Sequence, residues 1–344
     1  MNKFFYYILL LNFLCFPAFA EEKLGILGVE EVLLRPYFLV REGQEAEFGL
    51  GESSFALSWF KTKSVGGIIR LGSMALRNPM LHFTDTVDDE VAIVEAFAQI
   101  SGIYGRLRMG LIPIEFGVEG SWLESELYFN RNLIFEKRII PLRDFGISYQ
   151  VGNHGFYTRM AVHNGESFGE NPDGRMFLTA SWGWTNYRNF NLGVSAMTGT
   201  TKPVSTQNVN EDFIAGVDVN KEALWRMADL YLHWHPHKWF FLAEIIFAEL
   251  EQEEQITKFN GGHLDFGYQW IFHFATFVRY DHLDPNELSD NDLQRKISAA
   301  LRFSDKHQTQ SLYLVASKIY EQGSNFHNDE ARLIWHLTPI LKTK

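Results

Sequence analysis

The stretch Leu264-Asp265-Phe266-Gly267-Tyr268-Gln269-Trp270 decides the fold class. Apolar and aromatic residues take every second position, and Asp, Gly and Gln fill the positions between. Successive side chains of a strand point to opposite faces, so this segment reads as a β-strand with one greasy face and one polar face. The same alternation places Phe190, Leu192, Val194 and Ala196 against Asn189, Asn191, Gly193 and Ser195. Met176, Leu178, Ala180 and Trp182 oppose Phe177, Thr179, Ser181 and Gly183, and Ala228, Leu230, Leu232 and Trp234 oppose Asp229, Tyr231, His233 and His235. Trp239, Phe241, Ala243, Ile245 and Phe247 oppose a face that holds Glu244, while Ile297, Ala299, Leu301 and Phe303 oppose Lys296, Ser298, Ala300 and Arg302. Helical periodicity nowhere takes over for long.

The rest of the chain bounds what these strands build. Its 344 residues are 46% hydrophobic, 15% aromatic and 21% charged, with a formal net charge of −11, which excludes collagen, a disordered tail and a long coiled coil. Lys3, the apolar run Phe4 to Phe16 and the small-residue pattern Ala18-Phe19-Ala20 before Glu21 predict a signal peptide over residues 1–20, removed on export. Removal takes away Cys15, the one cysteine, leaving 21–344 as a single thiol-free domain suited to an oxidising compartment. Beyond residue 20 no stretch approaches eighteen consecutive apolar residues. The exported chain is therefore a soluble β-protein or one that crosses a membrane as strands, and backbone groups in lipid require those strands to close into a barrel.

Residue types and connection lengths favour the barrel over a soluble sandwich that binds a ligand. Trp59, Trp182, Trp184, Trp239, Trp270 and Tyr280 sit at the ends of apolar faces, as interface girdles do. Short links alternate with longer polar segments near 42–52, 74–90, 112–143, 164–174, 199–223, 250–262, 284–293 and 319–328, the pattern of tight turns at one rim and long loops at the other. Sixteen antiparallel strands are predicted, at about 31–41, 53–63, 66–73, 91–100, 102–111, 144–151, 154–163, 175–184, 188–198, 224–235, 237–249, 263–270, 273–283, 294–304, 309–318 and 329–338. A strand-like patch at 211–219 is left in a loop, because counting it would make the number odd.

One region carries more than periodicity. Gly110-Leu111-Ile112-Pro113-Ile114-Glu115-Phe116-Gly117-Val118-Glu119 precedes Glu136-Lys137-Arg138, Pro141-Leu142-Arg143-Asp144-Phe145-Gly146 and a strand ending in Asn164-Gly165. This order resembles the phosphate-selective porin family of O and P type, and a second match runs from Gly216 through His235-Pro236-His237 to Glu244. The resemblance implies an all-β, sixteen-stranded transmembrane barrel in the outer membrane, commonly trimeric, whose long third loop folds into the lumen. It also implies a general or anion-selective channel for small hydrophilic solutes or ions. By position, 112–143 is then the constriction loop, and Arg131, Lys137, Arg138 and Arg143 are its candidate pore cations. The chain departs from the family in being acidic rather than rich in Arg and Lys.

Strand parity adds the wall residues. Tyr104, Arg106 and Arg108 share the face opposite Ile103, Leu107 and Met109, and an arginine in mid-bilayer facing lipid costs about 2–4 kcal/mol, so these arginines are expected inside. The same argument sends Arg70, Arg159 and Glu95 inward, and Asp229, Glu244, Asp265 and Asp281 form the candidate acidic wall of the C-terminal half. Opposed rows of cations and carboxylates would set a transverse field across the passage.

Other chemistry is sparse. His233 and His235 share a face near His237, but no cysteine or nearby carboxylate completes a shell, so no metal is expected, and no cofactor or nucleic-acid partner either. No nucleophile elbow, zinc-protease helix, phosphate loop or dinucleotide fingerprint occurs. The alternative function is a barrel-borne hydrolase of lipid or peptide, with Glu124, Glu126, Glu136 and Asp144 as its paired carboxylates; a non-enzymatic channel is the expectation.

Overall fold

The computed structural model describes residues 26–338 apart from 44, 63, 74–90, 122–126, 130, 137–138, 166–173, 187–188, 202–220, 290–291, 307–308 and 323–328. The predicted leader and the 211–219 patch lie outside the described residues. Strands β1 (Ile26–Leu33), β2 (Tyr37–Arg41), β3 (Glu47–Gly49), β4 (Ser54–Phe60), β5 (Val65–Ser73) and β6 (Val91–Gly102) come first. Then come β7 (Gly105–Pro113), the short helices α1 (Gly117–Ser121) and α2 (Leu133–Glu136), β8 (Arg143–Asn153), β9 (Phe156–His163), β10 (Phe177–Thr185) and β11 (Phe190–Thr201). The series ends with β12 (Ala223–Trp234), β13 (Trp239–Gln252), β14 (Gln255–Ile271), β15 (Phe274–Asp284), β16 (Gln294–Ser304), β17 (Gln310–Glu321) and β18 (Glu330–Leu337).

All belong to one antiparallel sheet. Each strand from β4 to β18 pairs with the next in sequence; β18 pairs with β2, β2 with β3, and β1 with β4. The count is eighteen, not the sixteen predicted. Two interruptions account for the difference. Between β1 and β2, Pro36 has no N–H to give a ladder, and the Arg35 N–H donates to the Ser53 hydroxyl at 2.8 Å instead of to a strand carbonyl. Leu34 and Leu337 exchange backbone bonds of 3.0 and 2.8 Å across the same gap. Between β3 and β4, Gly51 turns the chain with φ of 56°.

A second correction concerns 250–262, expected to be a loop. Strands β13 and β14 continue through it and join in a two-residue turn at Glu253-Glu254. Inside the predicted 42–52 loop, β3 pairs back onto β2.

The decisive stretch lies as its alternation requires. Leu264, Phe266 and Trp270 are 46, 45 and 55% exposed, whereas Asp265 is 2% exposed. Leu192 and Val194, Leu178 and Trp182, Ile245 and Phe247, and Ile297 and Phe303 are exposed in the same way. Large apolar side chains thus stand outward around the sheet, and charged residues are buried on its other face, the inverse of a soluble protein.

That other face is not uniformly polar, which corrects the expectation of a water-lined interior. Toward the ends of the strands that carry the longer connections it is apolar: Trp225, Met227, Ile246, Ala248, Leu250, Phe259 and Leu283 are buried there. They pack against Ile112, Ile114, Phe116, Leu133, Ile134, Phe135, Ile139, Ile140 and Leu142 of the 112–143 segment. A second apolar cluster joins Val118 and Phe129 to Tyr231, Phe240, Leu242, Phe277 and Tyr313.

Candidate functional site

The 112–143 segment carries its own hydrogen-bonding plan. The Gly117 N–H donates to Ser195 Oγ at 3.1 Å and the Val118 N–H to Glu244 Oε1 at 2.8 Å, so side chains of β11 and β13 receive the first amides of α1. Gly117 has φ of 68°, and a Cβ there would stand 2.0 Å from Glu244 Oε1, so both backbone angle and space demand glycine. Asn132 caps α2 by accepting the Ile134 N–H at 3.0 Å. The Asn132 amide nitrogen also donates to Glu244 Oε2 and meets His263 Nδ1, at 3.0 Å each. Gly261 leaves the space that the Ile134 side chain fills, since a Cβ would lie 2.6 Å from Ile134 Cδ1.

Ion pairs complete the attachment. Arg279 on β15 binds Asp265 at 2.6 Å and Glu119 at 2.5 Å, and stacks its guanidinium over Phe129 at 5.1 Å. Lys296 on β16 holds Glu136 at 2.7 Å. Burial alone would raise the Glu136 carboxyl, but Lys296 and Arg332 outweigh it and hold the group below the ordinary carboxylate range. Arg131 donates to the Glu119 carbonyl and lies 3.5 Å from Glu52.

The predicted wall cations are on the inner face, and all of them but Arg106 pair with carboxylates of their own half of the sheet. Arg70 pairs with Glu31 at 2.5 Å and Glu95 at 3.3 Å, and Arg143 shares Glu95 at 3.1 Å. Arg108 and Arg159 converge on Glu115 at 3.2 and 2.9 Å. Positive and negative residues are therefore interleaved within each half, and the separated rows expected from sequence do not form. Arg106 is exposed and makes no ion pair among the described residues. Register places Gln150 between Arg106 and Arg159, so three arginines gather at the short-turn end of β7 to β9, two of them held by Glu115. Lys137 and Arg138 lie outside the described residues.

The alternative carboxylate pair does not assemble. Glu136 is on Lys296, while Asp144 meets His163 Nδ1 at 2.7 Å; Glu124 and Glu126 lie outside the described residues. His163 Nε2 reaches Thr179 Oγ1 at 2.9 Å, which lines up an acid, an imidazole and a hydroxyl. Asp144 and His163 are fully buried, and this line ties β8, β9 and β10 together. His233 and His235 stand 6.4 Å apart by ring centroid, and burial with Arg302 nearby keeps the His235 imidazole below its ordinary pKa.

Sequence reading missed Glu119, Asn132, His263 and Arg279 as one constellation. Parity places His263 and Arg279 on the inner face, and Glu119 closes the quoted Gly110–Glu119 motif, but 160 residues separate Glu119 from Arg279.

Several solved structures share the fold of this chain. OmpT of Vibrio cholerae, an outer membrane protein solved in a trimer form, superposes with a TM-score of 0.66 at 10% identity, over 92% of this chain and 100% of that one. The anion-selective porin from Comamonas acidovorans gives 0.65 at 10% identity, over 91% and 99%. The outer membrane channel DcaP of Acinetobacter baumannii gives 0.65 at 9% identity, over 93% and 99%. The fold is that of the outer-membrane porins. No family model and no curated protein sequence matches the chain, so the likeness to the O and P type porins rests on its motifs alone.

Proposed function

We propose that the protein is an outer-membrane channel of porin type, through which small hydrophilic solutes or ions diffuse without turnover of a substrate. The observation that carries this reading is the inversion of faces: outward apolar rows on the same strands whose other side buries Arg70, Glu95, Asp229, Asp265 and Arg279. Lipid around the sheet satisfies the outward apolar rows, which water there would not.

In this reading β1 with β2, and β3 with β4, each act as one interrupted stave. The pairing of β18 with β2 then closes a sixteen-stave barrel, and residues 1–20 are removed on export. The 112–143 segment folds inward as the constriction and leaves the path to the opposite side. Arg106, Arg108 and Arg159 at the short-turn mouth, with Lys137 and Arg138 by position in the segment, favour anions, while Arg131 and Arg143 are buried against Glu52, Glu119 and Glu95 and serve to hold it. The family motifs and the anion-selective neighbour support that sign, and the trimer form of the Vibrio protein supports a homotrimer.

The test is conductance. Purified protein refolded in detergent and added to a planar bilayer should give discrete ion-conducting steps, with a reversal potential on the anion side under a salt gradient. Protein that inserts and stays silent would defeat the channel reading; cation-side reversal would defeat its selectivity alone.

A further inference from the structure

Arg302 on β16 is a cation without a counter-ion. Leu301 and Phe303 beside it stand outward, so Arg302 points to the inner face, where it is only partly exposed. Among the described residues its guanidinium makes no hydrogen bond and no ion pair, and its Nε is buried without an acceptor. The other described arginines without an ion pair, Arg106 and Arg295, are exposed. Arg302 lies instead over two rings, 5.4 Å from the centre of Tyr128 and 5.6 Å from that of Phe277. Those rings stack on each other at 4.2 Å, and Phe240 meets both edge to face. Gly267 gives Phe277 its seat, since a Cβ there would stand 2.3 Å from Phe277 Cδ1, and Ala275 is the small cross-strand neighbour of Arg302. His233 and His235 flank Phe240 at 5.5 and 5.9 Å. A guanidinium drawn partly out of water without an opposite charge is costly, and an anion from solution offsets that cost.

We propose that Arg302 and Tyr128 bind aromatic carboxylates at the short-turn mouth of the passage. Arg302 stands two residues before the end of β16, and His233 and His235 stand where β12 runs into its own short turn, so both groups belong to the same rim. A carboxylate takes two guanidinium N–H groups in parallel, and a guanidinium lying over rings keeps that fork available. The ring of the same solute then meets Tyr128, which is partly exposed on the inward segment. Ring contact separates this class from chloride or phosphate, which offer charge but no aromatic face. His233 and His235 add imidazoles to the rim, and these do not repel an anion. Aromatic carboxylates become a solute class of the proposed channel, so the site rests on that reading for its purpose. Binding is measured without current, so a silent bilayer and a missing complex are separate failures.

The probe is benzoate. Full-length protein, folded in detergent micelles and verified by its heat-dependent gel mobility, is titrated with benzoate by equilibrium dialysis. Saturable binding at a single site is expected, with affinity more than tenfold weaker in Arg302→Met and severalfold weaker in Tyr128→Leu. Arg302→Lys, which keeps the charge without the planar fork, should recover part of the loss. Benzamide has the ring without the charge and cyclohexanecarboxylate the charge without the aromatic face, so each should bind more weakly than benzoate. Arg295→Met should bind as the wild type does. Folded wild-type protein without saturable binding would overturn the proposal, as would an Arg302→Met protein that binds benzoate unchanged. Cyclohexanecarboxylate held as tightly as benzoate would overturn the aromatic class.

Discussion

The two ends of the inner face are built on opposite plans. At the end with the longer connections, Trp225, Ile246, Leu250 and Phe259 form an apolar bed on which Ile134, Phe135 and Ile140 lie. At the short-turn end, Arg106, Arg108 and Arg159 stand round Gln150 and Glu115, partly open to solvent. In the channel proposed above, apolar contact holds an inserted segment at the cost of passage, and exposed charge selects what passes but holds nothing firmly. Dividing the tasks along one set of strands lets each proceed without the other.

Breaking the packed end should produce the largest effects. Phe135→Ala removes a fully buried ring, and Phe-to-Ala changes in cores cost about 3–5 kcal/mol. The segment should detach before the sheet unfolds, giving a larger unitary conductance with the detergent-resistant barrel retained; unchanged conductance would show that the segment does not narrow the path. Gly117→Ala should act in the same direction through α1, since its methyl would displace Glu244. Arg279→Met leaves Glu119 and Asp265 buried without their partner, and breaking such a pair costs about 3–5 kcal/mol. Its melting temperature should fall most of all the charge variants.

The short-turn end should answer to electrical measurement instead. Replacing Arg106 and Arg108 together with Ala should move the reversal potential toward cations while thermal stability stays close to wild type, because Arg106 is exposed and Glu115 keeps Arg159 when Arg108 is lost. A reversal potential that does not move would place these arginines outside the ion path and remove half of the comparison.

What was legible in the sequence follows from period two. The facing of Leu264, Asp265, Phe266, Asp229 and Arg70 could be read because a strand has only two sides. The count of strands could not, because Pro36 separates β1 from β2 and Gly51 separates β3 from β4. The acidic run Glu251-Gln252-Glu253-Glu254 reads as a loop by composition, yet the pleat persists on both sides of it, with Leu250 and Phe259 buried and Ile256 exposed. The apolar bed had a signal that alternation hides: Trp239 to Ala248 is apolar on both faces except at Glu244, as a strand covered on both sides must be. The cluster of Glu119, Glu244 and His263 had none, since only the pairing of strands brings those distant positions together.

The smallest effect tests the boundary between the two plans, at the Glu136–Lys296 pair. A quarter of the Glu136 side chain stays exposed, so solvent screens the contact and its contribution is modest. Because the folded carboxyl lies below its ordinary range, the pair stabilises the attached segment above the unfolded carboxylate pKa. That stabilisation is lost as pH falls through the folded value. Conductance of the wild type should therefore rise slightly and reversibly on acidification, and in Glu136→Gln that step should be absent. An equal acid response in both proteins would assign it to the other buried carboxylates beneath the segment.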